Sequence, residues 1–229
     1  MNKENLILCC FGRAGFEALN HILIKDNYGF KNIMVFTHKK NNESLINFLE
    51  GMKITYYTES INKCKNVLEN KNCFLLSIHY RFIIKKEILE SFTGRSVNLH
   101  PSLLPKYKGC FSSVWAIINE EKETGITFHE CIPEVDDGNI LIQKKIKISN
   151  KDTGFSLFHK LITLGINNLD KLFELLDNNY EGIPQQGESS YYPREVPYNN
   201  TVDNEWTEHK KNIYLRALHF PPFPPPKMS

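Results

Sequence analysis

The sequence predicts an α/β chain: a mostly parallel, twisted sheet flanked by helices, with a small C-terminal appendage. Three observations predict it. Short apolar runs alternate with segments of helical spacing along the first half of the chain, the pattern of strand–helix–strand units that make a parallel sheet. Some of these runs, such as Cys73 to Ile78, are apolar without alternation, as strands covered on both faces are. One strand ends in Asn98-Leu99-His100-Pro101, which gathers polar side chains at a strand's carboxyl end, where open α/β sheets bind ligands.

The elements follow in order. Leu6 to Phe11 is an apolar run ending at Gly12, and Phe16, Leu19, Ile22 and Leu23 then recur at helical spacing, so a buried strand, a tight turn and a helix are expected. Asn32 to Thr37 reads as a second strand, Ser44 to Met52 as a helix, Ile54 to Tyr57 as a short strand and Cys73 to Ile78 as another. In the strand at Asn98, residues two apart share a face, so Asn98 and His100 project together while Val97 and Leu99 pack the other way. Pro101 and Pro105 restrict the residues before them and turn the strand into a stiff loop. Ser112 to Asn119 is expected to be helical, and Gly125 to Cys131 and Ile140 to Ile148 to be strands of antiparallel character, the latter alternating isoleucine with lysine. One long amphipathic helix is expected after Thr153, carrying Phe158, Leu161, Ile162, Leu169, Leu172, Phe173 and Leu176 at intervals of three and four. From about Gly182 the composition turns to Ser, Tyr, Asn and Pro, with Trp206, a last helical piece at Ile213 to Leu218 and a Phe/Pro tail. The expected organisation is a catalytic domain over 1–180 and a C-terminal segment over 181–229.

At 229 residues and 41 % apolar content, the chain can bury one substantial core. Twenty-eight Lys and Arg against 26 Asp and Glu leave a formal charge of +2, which gives no reason to expect a nucleic-acid partner. Cys9, Cys10, Cys64, Cys73, Cys110 and Cys131 show no paired CxxC spacing and are expected as reduced thiols. The run after Met1-Asn2-Lys3-Glu4-Asn5 is too short for a signal peptide, and no stretch reaches a bilayer's span. A cytoplasmic protein without a membrane partner is expected.

Several groups are candidates for chemistry. Gly12-Arg13-Ala14-Gly15 either offers backbone N–H groups to a phosphate at a helix N-terminus or is an ordinary strand-to-helix turn. His100 is either a structural histidine or a base; Asn98 on its face and an acidic loop downstream favour the base, because acyl transfer to an amine needs a proton acceptor and a donor to an oxyanion. Asp136-Asp137-Gly138 reads equally as an acidic turn. His79, His100 and His129 match no familiar metal-ligand spacing, and no metal is expected. Tyr191, Tyr192, Trp206, Phe220 and Phe223 either stack on a planar ligand or pack at an interface.

Asn98 to Gly109, then Thr124-Gly125-Ile126-Thr127-Phe128-His129, then Asp136-Asp137-Gly138 with Gln143 together resemble the pattern of the folate-dependent formyltransferases. Asp136 lies 38 positions after Asn98, which matches that family's interval and selects Asp136 over Asp137. The resemblance runs from the first strand to the long helix and implies a Rossmann-like formyltransferase fold. His79-Tyr80-Arg81-Phe82-Ile83-Ile84 is similar to the family's folate loop. By that analogy the pterin of 10-formyltetrahydrofolate lies against the backbone of Phe82, Ile83 and Ile84 and the loop of Cys131, Ile132 and Val135, beside Asp136.

Within the family, methionyl-tRNA formyltransferases carry a further C-terminal domain for which this chain is too short, and glycinamide ribonucleotide formyltransferases have a different glycine-rich opening. Tyr80-Arg81, Ser113-Val114-Trp115 and the Arg216-Ala217-Leu218 helix before Phe-Pro-Pro are similar to the compact sugar-nucleotide N-formyltransferases. Cys110 stands where the relative acting on UDP-4-amino-arabinose has an arginine, which argues against a UDP-pentose. The resemblance therefore implies formyl transfer to a dTDP-amino-dideoxy sugar, with dTDP-4-amino-4,6-dideoxyglucose expected, for O-antigen and lipopolysaccharide synthesis. It implies His100 as base, Asn98 as oxyanion donor and Asp136 as partner of the imidazolium. Gly12, Arg13, His79, Tyr80, Arg81, Ser102, Lys106, Tyr107 and Trp115 are the expected acceptor contacts, and a homodimer through the C-terminal segment is expected. The competing readings are phosphoribosylglycinamide formyl transfer and a non-catalytic folate or sugar-nucleotide binder.

Overall fold

The computed structural model describes residues 3–69 and 71–229; Met1 and Asn2, where the N-terminal reading began, and Asn70 lie outside the described residues. The chain runs β1 (Asn5–Cys10), α1 (Gly12–Ile24), β2 (Asn32–Phe36), α2 (Glu43–Gly51), β3 (Thr55–Tyr57), α3 (Lys65–Leu68), β4 (Cys73–Ile78), α4 (Lys86–Leu89) and β5 (Ser96–His100). It continues β6 (Lys108–Gly109), α5 (Ser112–Ile118), β7 (Glu123–Glu130), β8 (Ile140–Lys147), α6 (Gly154–Ile166), α7 (Leu169–Asp177), β9 (Tyr191–Tyr192), β10 (Thr201–Val202), α8 (Glu208–Leu218) and β11 (Lys227–Met228).

Seven strands form one sheet in the order β3-β2-β1-β4-β5-β7-β8. Its first five strands are parallel, and β7 and β8 close it through antiparallel pairings, the arrangement expected of the Rossmann-like formyltransferase fold. The unbroken apolar runs occupy the centre: every residue of β4 and all but the first of β1 are buried. β8 is an edge strand, and Lys144 and Lys145 stand exposed on it, where lysine blocks pairing with another chain. The strand order reverses between β1 and β4, so the crevice outside their carboxyl ends is the ligand-binding position of this architecture.

Both faces of the sheet carry core. Leu6, Leu8 and Cys10 pack with Leu99, Leu161 and Phe173 on one face, while Ile7 and Cys9 pack with Ile61, Leu75 and Ile88 on the other. The single long helix expected after Thr153 is two helices, α6 and α7, interrupted at Asn167 and Asn168. The Asn168 amide turns back to the Leu164 carbonyl at 2.8 Å, the local competition with the helix ladder that asparagine favours. The apolar spacing survives the break, so Leu161, Leu169, Leu172 and Phe173 all reach one core. α8 starts five residues before the expected Ile213 because its first turn is charged, and Thr207 caps it by accepting the Lys210 N–H.

The C-terminal segment has no core of its own. Val202, Tyr214, Ala217 and Leu218 join the main cluster, and Tyr214 Oη donates to the Pro197 carbonyl at 2.7 Å. No helix among the described residues is long and apolar enough to cross a membrane.

Candidate active site

Strand register assembles the site. Asn98 pairs opposite His129 and His100 opposite Thr127 across β5 and β7, and with a side-chain period of two all four share a face. Asp136 reaches them from the loop after β7. Cys131 N–H ties the start of that loop to the Ser96 carbonyl at 2.8 Å, and Asp136 itself adopts the left-handed region at φ 55°. At Gly138 a Cβ would stand 2.0 Å from the Glu130 carbonyl oxygen, so the return past β7 accepts no side chain.

The result is a buried polar cluster. Asp136 Oδ2 lies 3.4 Å from His100 Nδ1 and Oδ1 lies 3.4 Å from His129 Nε2. Gly109 N–H donates to Asp136 Oδ2 at 2.8 Å. Asn98 Nδ2 is 3.1 Å from His129 Nε2 and 3.5 Å from Asp136 Oδ1. Only 4 % of His100 is exposed.

The backbone carbonyls decide the tautomers. His100 Nε2 lies 2.7 Å from the Tyr107 carbonyl, which only accepts, so the proton sits on Nε2 and the Nδ1 lone pair faces the site. His129 Nδ1 donates to the Glu130 carbonyl at 2.8 Å, leaving Nε2 to accept from Asn98. Burial pushes His100 below the usual imidazole range, against the opposing pull of the Asp136 charge and the Tyr107 bond. Burial alone pushes Asp136 up, but His100, His129 and the Gly109 N–H outweigh it and hold the carboxyl well below the usual range. At neutral pH the pair is therefore a neutral imidazole beside a carboxylate, a base with a built-in counter-charge for its protonated form. Burial raises all six thiols, with the charge of Asp136 adding to this at Cys131, so none is poised as a nucleophile.

The loop from Pro101 to Gly109 is braced from β7 and β8. Gln143 Nε2 donates to the Leu104 carbonyl at 2.9 Å and to Thr127 Oγ1 at 3.0 Å, and Thr127 Oγ1 donates to the Ser102 carbonyl. Two expected acceptor contacts are corrected here. Ser102 is fully buried with its hydroxyl on the Lys106 carbonyl at 2.7 Å, and buried Tyr107 donates its hydroxyl to Glu121 at 2.8 Å. Both shape the loop, and Lys106 stands exposed at its tip. Trp115 stacks on Tyr192 at 4.5 Å, with its buried Nε1 unpartnered among the described residues.

Other expected positions line the crevice at the ends of β1 and β4. Gly12 N–H is taken by Asn42 Oδ1 at 2.9 Å and is not free for a phosphate, whereas Arg13, exposed, pairs with Glu17 on its own helix through Nε alone. His79 packs its ring near Phe11 and Phe158, and Tyr80 Oη accepts the Ile61 N–H at 3.0 Å. The Arg81 guanidinium sits 4.4 Å over the Phe11 ring. Phe82 is 40 % exposed and stacks on His38, Ile83 is 65 % exposed and Ile132 is 38 % exposed. Backbone groups of Phe82, Ile84, Ile132 and Val135 make no hydrogen bond among the described residues, whereas the Ile83 carbonyl is taken by Asn62. Exposed apolar side chains beside unpaired peptide groups fit a flat heterocycle with donors and acceptors on its edge.

Four residues in contact with the site escaped sequence reasoning as site residues. His129 was visible as a motif letter and as a metal-ligand candidate, yet it is the cross-strand partner of Asn98. Gln185, Ser190 and Arg194 come from the C-terminal segment: Gln185 Nε2 donates to the Asp136 carbonyl at 2.8 Å, Ser190 Oγ accepts the Tyr107 N–H at 2.8 Å, and Arg194 donates to the Arg81 carbonyl at 2.9 Å. No spacing rule links them to the motif.

Known proteins are similar in sequence and fold. Residues 16–169 match the formyl transferase family. GDP-perosamine N-formyltransferase of Brucella melitensis is 39 % identical over 198 residues, 84 % of this chain and 76 % of that protein. The N-formyltransferase of Helicobacter canadensis, solved in complex with folinic acid and dTDP-3-aminofucose, superposes with a TM-score of 0.79 at 28 % identity, over 96 % of this chain and 81 % of that one. WlaRD, a sugar 3N-formyltransferase solved with dTDP and 5-N-formyl-tetrahydrofolate, superposes with a TM-score of 0.80 at 26 % identity, over 96 % and 81 %. With the family pattern covering most of the sheet and the cluster at the end of β5 in place, the chain belongs to the formyl transferase family.

Proposed function

We propose that this enzyme moves a formyl group from 10-formyltetrahydrofolate to the C4 amine of a 4-amino-4,6-dideoxyhexose carried on a nucleoside diphosphate. The observation that carries the reading is the buried pair of His100 and Asp136, with an unprotonated Nδ1 facing the site and Asn98 beside it. The folate donor supplies the formyl carbon and leaves as tetrahydrofolate. His100 Nδ1 takes the proton that the amine loses as the new C–N bond forms, and returns it to the nitrogen of the bond that breaks. Asp136 stabilises the imidazolium between those events. Asn98 turns its looser N–H, the one 3.5 Å from Asp136, to the developing oxyanion.

The acceptor class draws support from two directions. The motif resemblance points to dTDP-4-amino-4,6-dideoxyglucose, and the 39 % identical relative is named for GDP-perosamine; both carry the amine at C4 of a 6-deoxyhexose. Arg81 and Arg194 suit the diphosphate. They lie together at the switch point, make no ion pair among the described residues, and both act on His38 to lower it beyond the effect of its burial. A guanidinium pair without carboxylates is a fit for an anion of two phosphates. The product belongs to surface polysaccharide assembly, O-antigen and lipopolysaccharide.

Mass spectrometry of products from GDP-perosamine, dTDP-4-amino-4,6-dideoxyglucose, dTDP-3-aminofucose and glycinamide ribonucleotide, each with the folate donor, tests the reading. Formylation of either 4-amino sugar supports it; formylation of the ribonucleotide alone, or of the 3-amino sugar alone, overturns it. A homodimer through the C-terminal segment is part of the same proposal, since Tyr191, Phe223 and Met228 stand 59 %, 62 % and 63 % exposed there. Sedimentation of the intact chain and of Phe223→Asp measures it, with a shift to monomer expected in the variant.

A further inference from the structure

The two catalytic loops are tied to each other by a stretch of the C-terminal segment. Gln185 Nε2 donates to the Asp136 carbonyl at 2.8 Å and to the Gly138 carbonyl at 2.9 Å, bracing the left-handed turn that presents the Asp136 carboxylate. Gln185 Oε1 is buried without a partner among the described residues, so the two donated bonds alone orient this amide, and turning it over would set oxygen against two carbonyls.

Five residues on, the same stretch grips the other loop. Ser190 N–H donates to the Pro105 carbonyl at 3.2 Å, Ser190 Oγ accepts the Tyr107 N–H at 2.8 Å, and the Ser190 carbonyl accepts the Lys108 N–H at 2.9 Å. β9 then runs parallel to β6, pairing Lys108 with Tyr191 and Gly109 with Tyr192. The approach is close: a Cβ on Gly109 would lie 2.2 Å from the Tyr192 carbonyl oxygen. The gripped residues are those that touch the pair directly, because the Tyr107 carbonyl holds His100 Nε2 and the Gly109 N–H holds Asp136 Oδ2.

We infer that residues 185–192 form a positioning strap, in which Gln185 and Ser190 set the separation of His100 and Asp136 from opposite sides. Each acts through a neighbour: Gln185 through the Asp136 backbone and Ser190 through Tyr107. The inference rests on the formyl-transfer reading only for its kinetic consequence.

Gln185→Met keeps the length of the side chain and removes both N–H donors without adding charge, and Ser190→Ala loosens the other loop. Each is expected to lower kcat by on the order of 100-fold, the loss a displacement of about 1 Å brings, with KM for the folate donor moved less than about threefold. The second readout needs no acceptor. NMR of carbon-13-labelled histidine follows the titration of His100, which is faced by Asp136 and by His129; as Asp136 moves away, the His100 pKa falls further. A strap that served folding alone would lower the melting temperature and leave both kcat and that titration in place. Folded Gln185→Met with kcat within about twofold of the parent and an unchanged His100 titration overturns the inference, and if that variant does not fold, the same outcome in Ser190→Ala does so. A parent enzyme that formylates no amino sugar would refute the acceptor reading while leaving the NMR result to decide the strap.

Discussion

Residues 96–138 and residues 181–229 build the same site by different physics. The first stretch delivers side chains by register: Asn98, His100 and His129 face one way because strands alternate and β5 and β7 pair residue to residue. The second delivers almost no side chain to the reacting atoms. It contributes hydrogen bonds to backbone groups of the first, and it is held in place by rings, with Tyr192 stacked between Tyr107 and Trp115 and Trp206 set edge-on to Tyr198 and Tyr214. Chemistry lives in the stretch whose geometry the backbone dictates. Its adjustment lives in the stretch whose geometry depends on packing.

The largest expected effect breaks the first stretch at its centre. His100→Asn removes the proposed base and Asp136→Asn its proposed counter-charge, and each is expected to fold while losing about 100- to 10,000-fold in kcat, the range of a positioned general base. Turnover and thermal unfolding measured together check this. His100→Asn with near-normal turnover and intact folate binding would show that another group takes the proton.

A glycine pair sharpens the comparison at lower cost. Gly138→Ala drives a methyl to within 2.0 Å of the Glu130 carbonyl and must displace the turn bearing Asp136, so about 1–3 kcal/mol of stability and on the order of 100-fold in rate are expected to go. Gly187→Ala in the second stretch meets no atom within 4 Å but holds φ at +101°, so it carries backbone strain of about 1–3 kcal/mol and, reaching the pair only through Gln185 and Ser190 on either side of it, a smaller loss of rate than Gly138→Ala. Denaturant unfolding with kcat on both variants separates clash from strain; equal rate losses would mean that the two stretches are not distinct in this sense.

The same division explains what was legible in the residues. Strand–helix alternation, the shared face of Asn98 and His100, and the antiparallel turn of the last strands follow from periodicity, because burial on a sheet imposes it. Asp136 was reachable through a spacing matched to a family pattern, since no local rule carries a loop carboxylate onto a strand end. Gln185 and Ser190 were invisible for a physical reason: a single amide or hydroxyl bonding a distant carbonyl leaves no pattern in its neighbours. The Asn167-Asn168 break and the charged first turn of α8 were missed because apolar spacing reports what is buried and says nothing of how the backbone is capped.

Trp206→Ala tests the packing of the second stretch directly. The ring lies 4.9 Å from Tyr198 and 5.2 Å from Tyr214 by centroid, with Lys210 Nζ 4.1 Å above it. Loss of this half-buried ring is expected to cost about 2 kcal/mol, below the 3–5 of a fully buried aromatic, with kcat unchanged in the fraction that remains folded. A rate loss as large as that of Gly138→Ala, with the fold intact, would place the aromatic cluster in control of the strap.

The smallest effect concerns pH and separates the two members of the catalytic pair. His100 titrates below its ordinary 6.5 because it is buried, so as pH falls through 6.5 the unfolded chain binds the proton first and stability is lost toward the folded-state pKa. Asp136 works in a lower window: its carboxyl is depressed from 3.8, so its contribution is present above 3.8 and disappears only as pH falls through the folded value. His38, His79 and His159 are lowered as well and push stability the same way, so the difference between parent and variant carries the test. His100→Asn is expected to flatten the fall in melting temperature between pH 7 and 5 and, because His100 helps hold the Asp136 carboxyl down, to lessen the loss below pH 3.8 in part, whereas Asp136→Asn removes that carboxylate's contribution altogether. In that second variant His100 also lacks the charge that opposed its burial, so the acid limb of kcat/KM moves to lower pH even as the plateau drops. A limb that stays put in Asp136→Asn would mean that the carboxylate does not act on the base at 3.4 Å, and that its role is to hold the loop through Gly109.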